Sequence, residues 1–364
     1  MVRGPAPADL RSRSNARLQR VWAGHGAASS ALLPLSWAFG AVSAARRALH
    51  ARGWLATHHL PVRVVVVGNL IAGGAGKTPA VIAIVALLGR HGWTPGIVSR
   101  GYGREGDAVR EVGGANPPGD ARLDGDEPLL LARRTGVPVF VGRDRVAAGH
   151  ALLQSHPSVD VIVSDDGLQH LALGRDLEVL LFDERGLGND RLLPAGPLRE
   201  RPPRTARPGR LVLYNAPAAT TPLAGFVGQR SLAGVVALDA WWRGAPPTLA
   251  ALAALRGKNV VAVAGLARPE RFFAMLREHG LIVAELALPD HHDFRALPWP
   301  IGASDVVITE KDAVKITPDR RIGTRVWVAA LDFRPEAAFD EALLALLPPP
   351  EPSPPNEPHG NPPA

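Results

Sequence analysis

The chain of 364 residues contains no cysteine. That absence removes disulfides, thiolate metal centres, iron–sulfur clusters and cysteine nucleophiles, and nothing points to an oxidising compartment. Lysine is almost as scarce: of the 41 basic residues only Lys77, Lys258, Lys311 and Lys315 are lysine. In so Arg-rich a chain, lysine marks places where a compact, strongly hydrated point charge is wanted. Aromatic residues make up 5% of the sequence, and no basic run is interleaved with them, so nucleic acid is not an expected partner. The net charge of +7 suits a phosphorylated substrate or an anionic lipid surface instead. Gly (38) and Pro (35) stay below low-complexity abundance, and the length suits two domains with a sizeable core.

Residues 1–26 read as a basic, disordered extension. From Ala27 to Ala45 the chain carries no charge, and Arg46, Arg47 and Arg52 follow. Leu32, Leu35, Phe39, Val42 and Leu49 recur at helical spacing with Arg46 beside them, so 27–60 is expected to form an amphipathic helix lying on a membrane surface. A signal peptide, a buried core helix and a membrane span are the alternatives; Pro34 and the Ala/Gly/Ser content make a span weak.

An α/β rhythm begins near residue 61. Val64–Val67, Gly96–Ser99, Val137–Val141, Val159–Ser164 and Leu177–Asp183 read as strands and Pro79–Arg90 as a helix; uninterrupted Val/Ile runs argue for a parallel sheet covered on both faces. After Gly186 comes a Pro/Arg-rich passage, Leu193–Arg210, too punctuated for regular structure. A second, smaller α/β set follows: strands at 259–264, 281–286, 305–309 and 325–329, with helices at 269–279 and about 336–347. Domains are therefore expected over 61–185 and 186–347, with a disordered Pro-rich tail over 348–364.

Between the four-valine strand and the first helix stands Val67-Gly68-Asn69-Leu70-Ile71-Ala72-Gly73-Gly74-Ala75-Gly76-Lys77-Thr78-Pro79. Strand, glycine-rich loop, Gly-Lys-Thr and helix is the setting of a phosphate-binding P-loop. Small residues let backbone N–H groups surround phosphate oxygens, Lys77 reaches the β and γ phosphates of ATP, and the Thr78 hydroxyl holds Mg²⁺. Ile71 stands where the strict pattern has Gly, so the loop is a variant. Gly73, Gly74, Ala75, Gly76, Lys77 and Thr78 are the expected nucleotide contacts.

At the end of the 159–164 strand, Asp165-Asp166-Gly167-Leu168-Gln169-His170 supplies the carboxylates with which a P-loop protein holds Mg²⁺. Three further segments are open on composition alone. Asp124-Gly125-Asp126-Glu127-Pro128 precedes a helix and suits capping. Pro289-Asp290-His291-His292-Asp293-Phe294 suits a metal cluster, a general-base pair or a solvated loop. Thr309-Glu310-Lys311-Asp312-Ala313-Val314-Lys315 holds two of the four lysines and suits a charge-paired surface helix.

Taken in order, these segments resemble the tetraacyldisaccharide 4′-kinase family, the inner-membrane lipid A kinases. The resemblance runs from about Leu32 to Leu347 and adds Leu33-Pro34-Leu35-Ser36, Ser99-Arg100-Gly101-Tyr102-Gly103 and Leu192-Leu193-Pro194-Ala195-Gly196-Pro197-Leu198-Arg199-Glu200 to the motifs above. It implies a P-loop kinase domain and a second domain that closes on it. The implied reaction is ATP-dependent phosphorylation of the 4′-hydroxyl of a lipid A disaccharide 1-phosphate at the cytoplasmic face of the inner membrane. Asp126 would match the family's catalytic base and His291 the histidine paired with it. Glu127 would help the metal, and Ser99, Arg100, Gln169 and His170 would meet substrate. No obligate protein partner is implied. Asn189-Asp190 replaces an expected Asn-Gly and Arg201 an expected Pro, which affects loop conformation and not chemistry. The competing class is a membrane-associated P-loop ATPase switch. Such proteins often carry lysine just before the Gly-Gly of the loop, and here that position is Ala72.

Overall fold

Two N-terminal helices, α1 (Ala27–Ala31) and α2 (Leu33–Ala51), precede strand β1 (Arg63–Gly68) and helix α3 (Lys77–Arg90). The first half continues with β2 (Pro95–Ser99), β3 (Arg110–Glu111), α4 (Ala121–Asp124), α5 (Asp126–Thr135), β4 (Val139–Val141), α6 (Arg145–Ser155), β5 (Val161–Asp165) and β6 (Leu177–Asp183). The second half begins with β7 (Arg210–Asn215), β8 (Phe226–Ala237), α7 (Leu238–Trp242), α8 (Leu249–Ala253) and β9 (Asn259–Ala264). It ends with α9 (Pro269–Glu278), β10 (Ile282–Ala287), β11 (Asp305–Thr309), α10 (Glu310–Ala313), β12 (Arg325–Pro335) and α11 (Ala337–Leu346). This computed structural model describes residues 18, 20–22, 24–113, 119–203, 207–317, 320 and 323–348. The expected disordered extension up to residue 17, and the Pro-rich tail from residue 349, lie outside them.

The fold is mixed α/β with one large sheet, in the order β10-β9-β11-β12-β8-β7-β6-β1-β5-β2-β4-β3. All pairings are parallel except β12 with β8 and β3 with β4. Valine and isoleucine runs occupy the middle because a strand covered by helices on both faces has no polar side to present. Val64 to Val67 of β1 are all at most 2% exposed. Helix α3 lays Val81, Ile84, Val85 and Leu88 against the sheet at helical spacing, each burial contributing roughly 1.5–3 kcal/mol.

Strands β7 and β8 were not expected from the pattern, and they join the two halves. The boundary expected at 185/186 falls between β6 and β7, which pair in parallel from Glu178↔Arg210 to Asp183↔Asn215, so the sheet runs on across it. Strand β8 meets β7 only at Leu213↔Phe226 and Tyr214↔Val227, then turns antiparallel along β12. Its apolar period is broken by Gly228, which lies under the Phe333 ring, and by Gly234 (φ +134°) at a register shift. A bulge and a glycine seated under an aromatic ring erase the alternation by which a strand is recognised.

Helix α2 docks through its small and polar residues. Ser36 is buried and accepts from Ala195 N (2.9 Å) while donating to Leu192 O (2.8 Å); Ser29 of α1 donates to Ala195 O (2.6 Å). A Cβ on Gly40 would stand 2.7 Å from Leu192, and Arg47 pairs with Glu200 at 3.1 Å. Of the expected apolar stripe, Leu35, Phe39 and Val42 are respectively 60%, 37% and 70% exposed while Leu32 and Leu49 are half-buried, and Trp37, off the stripe, is 65% exposed. A core helix would bury that stripe, so the core-helix alternative does not hold. Among the described residues no helix is long and apolar enough to cross a membrane. In the docking loop Asp190, where the resemblance has Gly, takes a left-handed φ of +53°, a conformation Asp tolerates better than most residues.

Candidate active site

The C-terminal ends of the central parallel strands open onto a cavity of about 2030 Å³. Residues Gly73–Thr78, Ser99, Arg100, Glu127, Asp165, Asp166, Gln169, His170 and His291 all line it, and Asp126 is bonded to His291. The sequence-expected site residues are therefore gathered in one place.

The phosphate loop is held by its carbonyls. Asn69 Nδ2 donates to Gly73 O (3.1 Å), Arg185 to Ala72 O (3.3 Å) and Gly74 O (2.9 Å), and Asn215 Nδ2 to Ala75 O (3.0 Å). Gly73 and Gly76 adopt φ of +92° and +82°, which glycine alone takes without strain. Helix α3 starts at Lys77, so its positive N-terminal end points at the loop. Lys77 is buried, donating to Asn69 Oδ1 (3.3 Å) and lying 3.7 Å from Asp166.

The two carboxylates after β5 differ. Asp166, at φ +50°, is engaged by Arg199 (3.0 and 3.2 Å) and Lys77. Burial would raise its carboxyl, but Lys77 and Arg199 outweigh it and hold the group below its usual range. Asp165 accepts only from Ser99 Oγ (3.0 Å), and its Oδ1 is buried without a partner among the described residues. Burial, then the charges of Glu127 and Asp166, push it up to about 7. A buried carboxylate oxygen with no donor is one that a cation would satisfy. Among the described residues no group of three or more His, Asp or Glu side chains forms a ready-made metal cage. A magnesium ion carried in with nucleotide phosphates, and keeping several waters, needs only one or two carboxylates, and Asp165 fits that demand.

The second cluster spans the two halves. Asp126 opens α5, and its Oδ2 is 2.8 Å from His291 Nδ1 and 3.7 Å from Lys315 Nζ. Glu127 accepts from Lys311 (2.9 Å), which also reaches Asp290 (3.1 Å). Burial would raise the Asp126 carboxyl, but the His291 hydrogen bond and the charges of Lys311 and Lys315 hold it well below the carboxylate range. The same hydrogen bond raises His291 above its ordinary value against the opposing effect of burial. His291 sits at φ +60° with its ring 5.6 Å from that of Tyr102. Helix capping here falls to Asp120, which accepts from Arg122 N at the start of α4, while α5 has Gly125 before it and Asp126 Oδ1 accepts from Glu127 N (2.9 Å). Asp124 is fully buried, accepts from Gly113 N and Asp120 N, and pairs with Arg110 at 3.0 Å.

Of the residues expected at the substrate, Ser99 is bonded to Asp165, and Gln169 links Glu200 (2.9 Å), Arg199 (3.2 Å) and Asn69 O (3.4 Å). His170 is pushed down to about 4 by burial and Arg145, so it is neutral at physiological pH. Arg100 lines the cavity and is exposed. Sequence reasoning assigned no role to Asn69, Arg145, Arg199, Lys311 or Lys315. For the two lysines the signal was their rarity, since three of the chain's four lysines stand in this one site. Arg199 stood in the 192–200 motif without a role, and nothing in an Arg-rich chain marked Arg145.

A family model described as tetraacyldisaccharide-1-P 4′-kinase matches residues 28–348. The tetraacyldisaccharide 4′-kinase of Methylibium petroleiphilum is 53% identical over 354 residues, covering 95% of this chain and 97% of that protein. That of Leptothrix cholodnii is 51% identical over 340 residues, covering 92% of this chain and 97% of its own length. Among solved structures, LpxK from Aquifex aeolicus in complex with ATP aligns with a TM-score of 0.73 at 29% identity, covering 88% of this chain and 98% of that one. Matched over nearly its whole length in sequence and in fold, the chain belongs to the tetraacyldisaccharide 4′-kinase family.

Proposed function

We propose that this kinase transfers the γ-phosphate of ATP to the 4′-hydroxyl of a tetraacylated lipid A disaccharide 1-phosphate, at the cytoplasmic face of the bacterial inner membrane. The observation that carries the reading is the meeting of the Asp126–His291–Lys315 cluster and the Lys77 phosphate loop in one cavity. The apolar face of α2 stands at the same mouth, where Phe39, Val42 and Arg46 line the cavity.

ATP lies on the loop backbone with Lys77 on its terminal phosphates. Asp126 accepts a hydrogen bond from the 4′-hydroxyl and takes its proton as the new O–P bond forms and ADP leaves. A carboxylate held so strongly ionised is a weak base. It suffices because a loose, metaphosphate-like transition state leaves the proton on the attacking oxygen until late. His291 orients Asp126, and Lys315 and Lys311 keep it charged before the hydroxyl arrives. Asp165 and the Thr78 hydroxyl would hold Mg²⁺, with Glu127 nearby and Asp166 serving Lys77 and Arg199. When bound, the ion supplies neutralisation of phosphate charge. The half after residue 186 supplies His291 and the two lysines, which already stand on Asp126 and Glu127 at the start of α5.

Helix α2 lies on the lipid surface with Leu35, Trp37 and Val42 inserted, and Arg46 at the anionic headgroups. Its docked face is polar and its free face apolar, the reverse of a helix that packs for folding. That inversion supports the reading.

The test is transfer of radiolabelled γ-phosphate from Mg–ATP to detergent-dispersed tetraacyldisaccharide 1-phosphate, with Lys77→Ala and Asp126→Ala beside the wild type. Labelled lipid from the wild type alone is expected. Steady ATP hydrolysis with no labelled lipid would return the ATPase-switch reading.

A further inference from the structure

On the side of the phosphate loop that faces the second half stand four arginines, and three are neutralised. Arg185 pairs with Asp183 at 3.0 Å while holding the loop carbonyls. Arg268 and Arg271 both reach Glu184, the former at 3.8 Å. The fourth, Arg230, projects from β8. Its Nε is buried without a partner, and among the described residues no carboxylate stands within ion-pair distance of it. Burial and the neighbouring Arg271 push it down to about 10, so it stays charged at neutral pH.

Its approach to the loop is close. A Cβ added to Gly76 would stand 2.3 Å from Arg230 Nη2 and 2.1 Å from Asn215 Nδ2. Gly76 is thus required twice, by its φ of +82° and by these two side chains. Asn215 has a partner in Ala75 O. Among the described residues Arg230 has neither a hydrogen-bond nor an ion-pair partner, although it lines the same cavity as Lys77. Asp183 and Glu184 attract it only from beyond ion-pair distance; a half-buried cation without a close counter-ion is costly, and it persists where a ligand supplies the missing charge. In the order β8-β7-β6-β1-β5, Arg230 and Asp165 lie on opposite sides of the strand that leads into the loop.

We propose that Arg230 is a phosphate-binding residue for the nucleotide, gripping the phosphate chain on the flank opposite Asp165. It rests on the kinase reading and extends it, because it takes one contact of the nucleotide from β8, the strand that joins the halves. Nucleotide binding then bears directly on how the second half sits over the first.

The test measures Mg–ATP affinity by titration calorimetry, and melting temperature with and without Mg–ATP, for wild type, Arg230→Lys and the apolar near-isostere Arg230→Met. Arg230→Met is expected to raise the Kd for Mg–ATP about ten- to hundredfold, the range for a lost charge-assisted hydrogen bond. Arg230→Lys recovers part of the loss. The unliganded Met variant melts at or above the wild type, because an unpaired buried charge is gone, while its ATP-induced rise shrinks. A wild-type Kd in Arg230→Met, or a lower unliganded melting temperature with the ATP-induced rise intact, would overturn the proposal in favour of a structural arginine. Unchanged ATP affinity with a raised KM for the lipid acceptor would overturn it by moving the contact to the acceptor's phosphate. Failure of the wild type itself to bind Mg–ATP would remove the nucleotide reading, and this assignment with it.

Discussion

Two pairs of adjacent carboxylates stand at one cavity, Asp165-Asp166 and Asp126-Glu127, with Asp126 set back behind His291, and their chemistry diverges. Asp126 is held well below the carboxylate range, whereas Asp165 rises to about 7. Burial acts on both. The difference lies in who else arrives: His291, Lys311 and Lys315 converge on the first pair from the second half, while Lys77 and Arg199 serve Asp166 and leave Asp165 with a single hydroxyl. The contrast teaches that a carboxylate's role here is assigned by the cations the fold brings to it. On the proposed reading the first pair, kept ionised, receives the acceptor hydroxyl and the second, short of donors, receives a metal-bound phosphate.

The strongest way to break the contrast is Asp126→Asn, which keeps the shape and removes the charge. Turnover should fall roughly 10²–10⁴-fold, the range for losing a positioned acid–base group, with Mg–ATP affinity within about threefold of wild type. A parallel loss of ATP binding in titration calorimetry would make Asp126 structural. Next is Lys311→Met, which strands Glu127 and Asp290 without their shared cation. Because both carboxylates are partly exposed, it should cost about 1 to 2 kcal/mol in chemical denaturation, between the surface and buried limits, and adding Glu127→Gln should restore part of it. Strict additivity in that cycle would mean that the Lys311–Glu127 contact carries no coupling.

Asp165→Asn sharpens the comparison through pH. A carboxyl whose folded pKa lies above its unfolded value destabilises the fold as pH rises from about 4 through 7, because the unfolded chain releases its proton first. The unliganded variant should therefore be more stable than wild type at pH 8, on the order of 2 kcal/mol, and nearly equal at pH 4. Equal stability at both values would mean that Asp165 is not strained by charge. His291 works in the opposite sense. Its raised pKa contributes stability that is full below about 6.5 and fades as pH rises through the folded value. In His291→Asn, the stability deficit against wild type should therefore be larger at pH 6 than at pH 9. The smallest effect on stability is expected outside the site: Trp37→Glu with Val42→Glu should change folding by no more than about 0.5 kcal/mol per residue. Binding to anionic vesicles, followed by sedimentation, should drop sharply, and undiminished binding would remove α2 as the lipid contact.

Much of the fold is legible in local pattern. The strands at 177–183, 259–264 and 305–309 match β6, β9 and β11 to the residue, because uninterrupted apolar runs bounded by loops leave a doubly covered strand little alternative. The phosphate loop is legible for the same reason, since all its parts lie within one strand–loop–helix segment. Strand β8 is hidden by Gly228 and Gly234. Its form depends on the Phe333 ring and the β12 backbone, neither of which lies near it in sequence.

The sequence by itself therefore determined the layered α/β pattern, the nucleotide loop and, through its ordered motifs, the family. The resemblance implied that Asp126 pairs with His291, but only the tertiary structure shows the contact, across 165 residues of chain, and adds Lys315 to it. It also decided that Asp166 is taken by Arg199 while Asp165 is left with the Ser99 hydroxyl alone, that Arg230 stands beside Gly76 with no partner among the described residues, and that α2 turns much of its apolar face outward. Local pattern records which residues share a strand or a helix face. Charge pairing depends on distance in space, and that distance is set only when a sheet of twelve strands brings the ends of remote elements to one edge.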